Sequence, residues 1–243
     1  MKPSETLSGP PAEDIQSLFQ SISSGYDTAN DVMTGGMARL WRKKLVQRSQ
    51  AQPGDAILDC ATGTGDLAIE FAKVVGSQGE VIGSDFCQGM LDKAPAKAEK
   101  NGLKIQFEIA DATNLPYEDH RFDVVSIAYG IRNVSDPVKA LSEMARVTKP
   151  GGRVMILETG DQQNPLLRKG FQFYFKYIVP RIGGLITGQK SAYEYLQKSS
   201  SKFPSQQNFI DLMNQTQSFS KCDFISLMGG ASFIYRGVVN SPH

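Results

Sequence analysis

The residues Ile57-Leu58-Asp59-Cys60-Ala61-Thr62-Gly63-Thr64-Gly65-Asp66 read as an apolar strand that runs into a glycine loop and opens a helix. Gly63 and Gly65 admit positive φ and carry no Cβ, so a ligand can lie against the backbone at the carboxyl edge of a sheet. Apolar runs at 56–58, 81–82, 104–109, 123–128 and 153–157 alternate with helical patterns at 67–75, 90–100 and 137–147. This rhythm predicts an α/β doubly wound sheet, mostly parallel, with helices over both faces. Its strands are solidly apolar, as burial on both sides requires.

The rest of the chain divides around that core. Residues 1–12 are polar with three prolines and read as a flexible tail. Residues 13–50 form an N-terminal helical cap: Ile15, Leu18, Phe19 and Ile22 fall at helical spacing, and a basic amphipathic segment follows at 37–47. The ligand-binding core spans 51–160. An insertion at 161–204 breaks the rhythm, with Phe171, Phe173, Tyr174, Phe175, Tyr177, Tyr193 and Tyr195 and seven Lys or Arg against two acids. Residues 205–243 supply a helix near 206–215 and strands near 223–228 and 232–239, whose hairpin adds an antiparallel C-terminal strand.

Composition removes several classes. With 26 Lys and Arg against 25 Asp and Glu, the net charge of +1 is too balanced for a nucleic-acid binder that neutralises many phosphates. Cys60, Cys87 and Cys222 show no CxxC spacing, so neither a disulfide framework nor a metal site is expected. No apolar stretch approaches the roughly 20 residues that cross a bilayer, and the first residues lack a secretory core. The expectation is a cytoplasmic protein.

Three acids stand at successive strand ends around the glycine loop. Gly63-x-Gly65-x-x-Ala68 formally fits a dinucleotide fingerprint, but Asp59 ends the first strand, where a pyrophosphate would be repelled. S-adenosylmethionine carries an ammonium and a sulfonium instead, and suits a carboxylate there. Asp85, 21 residues after Thr64, can accept two ribose hydroxyls in either class. Asp111, with the backbone amide of Ala112, can bind an adenine. The plainer alternatives are turn glycines and an Asp85 that caps a helix; the joint pattern favours the methyl donor.

DxxxGxGD at 59–66, the Ser84-Asp85-Phe86 acid, the DATNLP turn at 111–116 and the KPGG turn at 149–152 resemble class I S-adenosylmethionine methyltransferases, with a Rossmann-like sheet. Tyr26-Asp27-Thr28-Ala29-Asn30, Tyr129-Gly130-Ile131-Arg132-Asn133-Val134, Leu157-Glu158, Val179-Pro180-Arg181-Ile182-Gly183 and Ala192-Tyr193-Glu194-Tyr195-Leu196 are similar to the quinone-biosynthesis C-methyltransferases that act on demethylmenaquinol and polyprenyl-methoxybenzoquinol. This likeness runs from about residue 19 to 239. It implies a donor site of Asp59, Gly63, Thr64, Gly65, Asp85, Phe86, Asp111, Ala112 and Ala128, the last standing where the family has Ser. S-adenosylhomocysteine would be the product and a polyprenyl quinol the partner, demethylmenaquinol first. The chain departs from the family pattern at Ala29, Thr34, Ala38 and Trp41, and in Glu158-Thr159-Gly160.

Methyl transfer to carbon requires a nucleophilic ring carbon held in line with the sulfonium methyl, and a base or a water chain that removes a phenolic proton. His120 lies in a polar turn and His243 is the last residue, so neither is favoured. Tyr26, Asp27, Arg132 and Asn133 are the catalytic candidates: Arg132 to stabilise phenolate charge, Asn133 to orient a ring oxygen, Tyr26-Asp27 to close over the site. The alternative for Arg132 is an ion pair with Asp136. The aromatic, basic insertion suits peripheral contact with the inner face of the cytoplasmic membrane, a lid on the core, or a homodimer interface. Competing functions are methylation of another lipophilic aromatic acceptor and a non-catalytic scaffold in the quinone pathway.

Overall fold

A computed structural model describes residues 10–160, 169–170 and 173–241, with backbone alone at Phe175. Seven strands form one sheet in the order β3-β2-β1-β4-β5-β7-β6. They are β1 (Ala56–Cys60), β2 (Glu80–Asp85), β3 (Gln106–Ile109), β4 (Phe122–Ala128), β5 (Thr148–Thr159), β6 (Phe219–Leu227) and β7 (Ser232–Val239). Strands β1 to β5 are parallel, and β7 inserts antiparallel between β5 and β6. The strand order reverses between β1 and β4, so a crevice opens at their carboxyl ends, where ligands of open α/β sheets bind.

Helices follow the expected crossovers: α4 (Asp66–Val75), α5 (Gln88–Leu91), α6 (Ala94–Lys100), α7 (Pro137–Val147) and, late in the chain, α10 (Gln207–Gln215). The run expected as one helix over 90–100 is two, because Pro95 lacks the N–H an interior turn needs and serves as a first-turn residue of α6. Two buried clusters cover the sheet's faces, one around Phe122, Leu141, Met144 and Phe209, the other around Leu45, Phe71, Val75 and Leu157. At about 25 cal/mol per Å² such burial is the main term holding the sheet to its helices.

The cap comprises α1 (Ala12–Ile22), α2 (Tyr26–Thr34) and α3 (Met37–Ser49). Helix α2 is not evident from hydrophobic period, since Tyr26-Asp27-Thr28-Ala29-Asn30-Asp31 is mostly polar. It ends at Gly35 and Gly36, whose φ of 56° and 77° turn the chain into α3 at no Cβ cost. A third apolar cluster joins the cap to the insertion: Ile22, Ala29, Ala192 and Tyr193 are buried, with Phe19, Tyr26, Met33, Ile186 and Leu196 packed on them. The insertion's helices α8 (Val179–Thr187) and α9 (Lys190–Lys202) therefore pack on α1 and α2. Of its aromatics, Tyr193 is buried, the Tyr174 hydroxyl donates to the Met33 carbonyl at 2.9 Å, and Phe173 and Tyr177 are exposed. Phe171 and the Phe175 side chain, like residues 1–9 of the expected tail, lie outside the described residues.

Candidate active site

The loop after β1 is built for close approach. Gly63 and Gly65 have φ of 59° and 85°, and a Cβ on Gly65 would stand 3.1 Å from the Phe107 ring and 3.2 Å from Ala94. Asp85, at the tip of β2, is buried, and its two carboxylate oxygens accept the amides of Gly63 at 2.8 Å and Cys87 at 2.9 Å. Those bonds tie the two loops together, while burial raises its pKa above the ordinary range. Asp111 is exposed and accepts from the Thr113 amide at 2.8 Å. Gly63, Asp85, Phe86, Asp111, Ala112 and Ala128 all line one cleft, together with Tyr26 and Asn133.

Asp59, Thr64 and Gly65 stand behind that wall. Asp59 is 1 % exposed, and its oxygens accept from Thr62 Oγ1 at 2.6 Å and Ser126 Oγ at 2.7 Å. The parallel register explains the second bond, since Asp59 pairs with Ser126 across β1 and β4. Desolvation pushes its carboxyl up to about 6 despite those donors. Thr64 turns the other way: its hydroxyl donates to Asp27 Oδ1 at 2.6 Å. Lys97 then bridges Asp27 Oδ2 at 2.6 Å, Thr64 Oγ1 at 2.9 Å and Asp66, and the buried Arg42 pairs with Asp66 at 3.0 Å. Asp27 is thus a strut between α2 and the glycine loop.

A larger cavity lies on the cap side. Met33, Met37, Trp41, Tyr174 and Leu196 give it an apolar wall, and Arg132, Thr159 and Ser232 a polar patch. It shares Tyr26 and Tyr129 with the cleft. Arg132 faces this cavity, but its ion pair is with Glu158, and the two side chains are only 8 % and 2 % exposed. Asp136 instead caps α7, accepting from the Lys139 amide at 3.0 Å. Asn133 is buried in the cleft wall; its Nδ2 reaches the Tyr129 carbonyl at 3.5 Å, and the Tyr195 hydroxyl lies 3.4 Å from its Oδ1.

The model of the ubiE/COQ5 methyltransferase family matches residues 9–239. The chain belongs to that family. Among its ubiE/COQ5 relatives, the ubiquinone/menaquinone biosynthesis C-methyltransferase of Bdellovibrio bacteriovorus is 55 % identical over 230 residues, covering 95 % of this chain and 97 % of that one. The demethylmenaquinone methyltransferase of Staphylococcus carnosus is 39 % identical over 225 residues, covering 93 % and 92 %. A SAM-dependent methyltransferase of Thermotoga maritima, 19 % identical, shares the fold with a TM-score of 0.65 over 92 % of this chain and 99 % of that one. The ubiE/COQ5 assignment makes S-adenosylmethionine the cofactor, and the two acids facing the cleft suit its diol and its base.

Several residues of this ubiE/COQ5 site escaped the sequence reading. Glu158 carries a signal, since it stands in the Leu157-Glu158 stretch similar to the family, next to the last residue of β5. Tyr195 stands in the 192–196 stretch similar to the family, but its Asn133 partner lies 62 residues away. Lys97 and Arg42 carry no signal, because their partners lie 24 to 70 residues away and no local period records such pairs. Among the described residues no group of His, Cys, Asp and Glu can hold a metal, and no helix is long and apolar enough to cross a membrane.

Proposed function

We propose that the chain methylates a ring carbon of a prenylated quinol, demethylmenaquinol first, with the donor in the cleft and the acceptor in the cap-side cavity. One observation carries this arrangement: the cleft with its strand-end acids and the apolar cavity with Arg132 are separate spaces that meet at Tyr26 and Tyr129. S-adenosylmethionine-dependent C-methylation in quinone biosynthesis is the activity of the family and of its named relatives. Bound there, the cofactor supplies an electrophilic methyl group on a sulfonium.

This chain's residues do the rest. Asp85 accepts the ribose hydroxyls and Asp111 with Ala112 the adenine, while Gly63, Phe86 and Ala128 leave room for both. Asp59 acts from beneath the loop, holding Thr62 and Ser126 and presenting negative charge to the donor's cationic end. Arg132, with its charge balanced by Glu158, favours the phenolate form of the ring, and Asn133 orients a ring oxygen. Asp27 and Thr64 keep α2, and with it Tyr26, against the donor loop. The apolar wall takes the prenyl tail and excludes water.

The test uses the full chain with S-adenosylmethionine and chemically reduced short-tail demethylmenaquinol or methoxybenzoquinol. A gain of one methyl group on the naphthoquinol, with equal release of S-adenosylhomocysteine, is expected; no methylated product from either quinol would overturn the assignment. Methylation of the benzoquinol alone would select the second headgroup, which the name of the Bdellovibrio relative also includes.

The Asp59 pKa gives a pH prediction. With its carboxyl at about 6 in the fold against 3.8 for the free side chain, the folded state holds the extra proton between roughly pH 4 and 6. Stability contributed at Asp59 therefore falls as pH rises through that window, opposite to an ordinary paired carboxylate. Affinity for the cationic donor rises from pH 5 to 7 as the charge appears. Calorimetry at the two pH values on the parent and on Asp59→Asn checks this; a parent with no rise, or a variant with the same rise, contradicts it.

The insertion face is also proposed to touch a lipid surface. Leu185 is 88 % exposed, Phe173 and Tyr177 are exposed, and Lys176, Arg181 and Lys190 lie on the same segment. Anionic lipid attracts such a face at about 1 kcal/mol per basic residue. Flotation with anionic vesicles should carry the chain at low salt and release it at high salt. A chain that floats at neither and sediments as a dimer assigns the face to a second copy.

A further inference from the structure

Tyr129 is held in a conformation that a side chain of its size rarely adopts. Its φ is 57°, the left-handed region, although Gly130 stands at the next position. Strain of this kind survives only where the surroundings impose it, and it concentrates at ligand sites. Three contacts impose it here. The Tyr129 amide donates to the Leu157 carbonyl at 2.7 Å, and its own carbonyl accepts from Arg132 Nη1 at 3.1 Å and Asn133 Nδ2 at 3.5 Å.

The next residue locks this turn to the donor loop. A Cβ on Gly130 would lie 2.6 Å from the Cβ of Ala61, itself at a φ of 48°. Two strained turns, one after β1 and one after β4, therefore interlock at the point where the cleft and the cap-side cavity adjoin. Tyr129 and Tyr26 are the two residues that line both spaces. The Tyr129 hydroxyl is buried and makes no hydrogen bond among the described residues, so the ring, not the hydroxyl, is what both spaces can meet.

We infer that Tyr129 is a catalytic residue whose ring touches both ligands, aligning the donor's methyl-bearing end with the carbon it alkylates. This rests on the placement of donor and acceptor given above. An aromatic plane suits the role because it is rigid, attracts a cation to its face and packs flat on a second ring. Orientation acts on the chemical step: misplacement by about 1 Å costs on the order of 100-fold in rate without a matching loss of binding.

The experiment compares Tyr129→Phe and Tyr129→Leu with the parent, reading kcat, the acceptor KM and the Kd for S-adenosylhomocysteine. Tyr129→Phe should stay within about twofold in kcat, and Tyr129→Leu should lose about 100-fold while the Kd and KM move less than about fivefold. Contradicting outcomes are a Leu variant within threefold of the parent in kcat, a loss mirrored by melting temperature and donor Kd, or a Phe variant as impaired as Leu. Should the Leu variant not fold, 3-fluorotyrosine at position 129 alone reads the same contact. Its fluorine resonance should move on adding S-adenosylhomocysteine and again on adding short-tail demethylmenaquinol, and no movement with either ligand overturns the assignment. Val32→Trp at the cavity mouth separates the underlying placement. Turnover unaffected by that tryptophan would remove the acceptor from the cavity, whereas blocked turnover with a normal Leu variant would remove Tyr129 alone.

Discussion

Asp85→Ala should weaken S-adenosylhomocysteine binding by at least about 100-fold in a calorimetric titration. The Asp85 carboxylate is buried and already oriented by the amides of Gly63 and Cys87, so it offers both oxygens to a diol without reorganisation. Hydrogen bonds to a charged group contribute about 1.5–3 kcal/mol each, and two of them exceed the 2.7 kcal/mol or so that corresponds to 100-fold. Stability should respond much less, because burial already disfavours the Asp85 charge and water entering the cleft can take the freed amides. Asp85→Asn, which keeps one acceptor, should fall between. Affinity within threefold of the parent for the alanine variant would remove Asp85 from the donor site.

The second large effect concerns Glu158. Replacing it by leucine strands the Arg132 guanidinium in a nearly water-free position, and breaking a buried pair from one side costs about 3–5 kcal/mol. For a chain of this length that lowers the melting temperature by roughly 10 °C. The double change Glu158→Leu with Arg132→Met removes both charges and should recover most of the loss, as apolar replacements of buried pairs generally do. Turnover should not recover: with the cation gone, phenolate stabilisation is lost, an effect of about 100-fold or more. A single variant that melts with the parent would deny the pair its structural weight. A double variant with normal turnover would deny Arg132 its catalytic one.

The difference between these two residues shows what the amino-acid order discloses. Asp85 is legible because everything that places it is local: an apolar strand, its last residue, and a fixed distance from Gly63. Strands β1, β2, β4 and the glycine loop follow from the same short-range periods. Strand β6 starts four residues before its expected position, since Phe219-Ser220-Lys221-Cys222 alternates along a sheet edge and lacks a continuous apolar run. Helix α2 is hidden by its polar face, and becomes a helix because Ala29 and Tyr26 pack on Tyr193, more than 160 residues away.

The site divides the same way. Gly63, Asp85, Phe86, Asp111, Ala112 and Ala128 come together because parallel strands deliver their carboxyl ends to one edge. The roles of Asp27, Arg132 and Thr64 depend on Lys97, Glu158 and each other, partners set by how the cap and β5 dock. Asp136, four residues from Arg132, is the nearer acid in sequence. Its side chain is committed to the first turn of α7, which leaves Glu158 at the end of the neighbouring strand.

The most direct test is a crystal of the full chain grown with S-adenosylhomocysteine and a short-tail demethylmenaquinone. The nucleoside should lie in the cleft with its diol on Asp85, and the naphthoquinone ring in the cap-side cavity beside Arg132, its unsubstituted carbon turned through the Tyr26 and Tyr129 junction toward the sulfur. A quinone bound outside that cavity, or a nucleoside whose sulfur points away from the junction, would contradict the account.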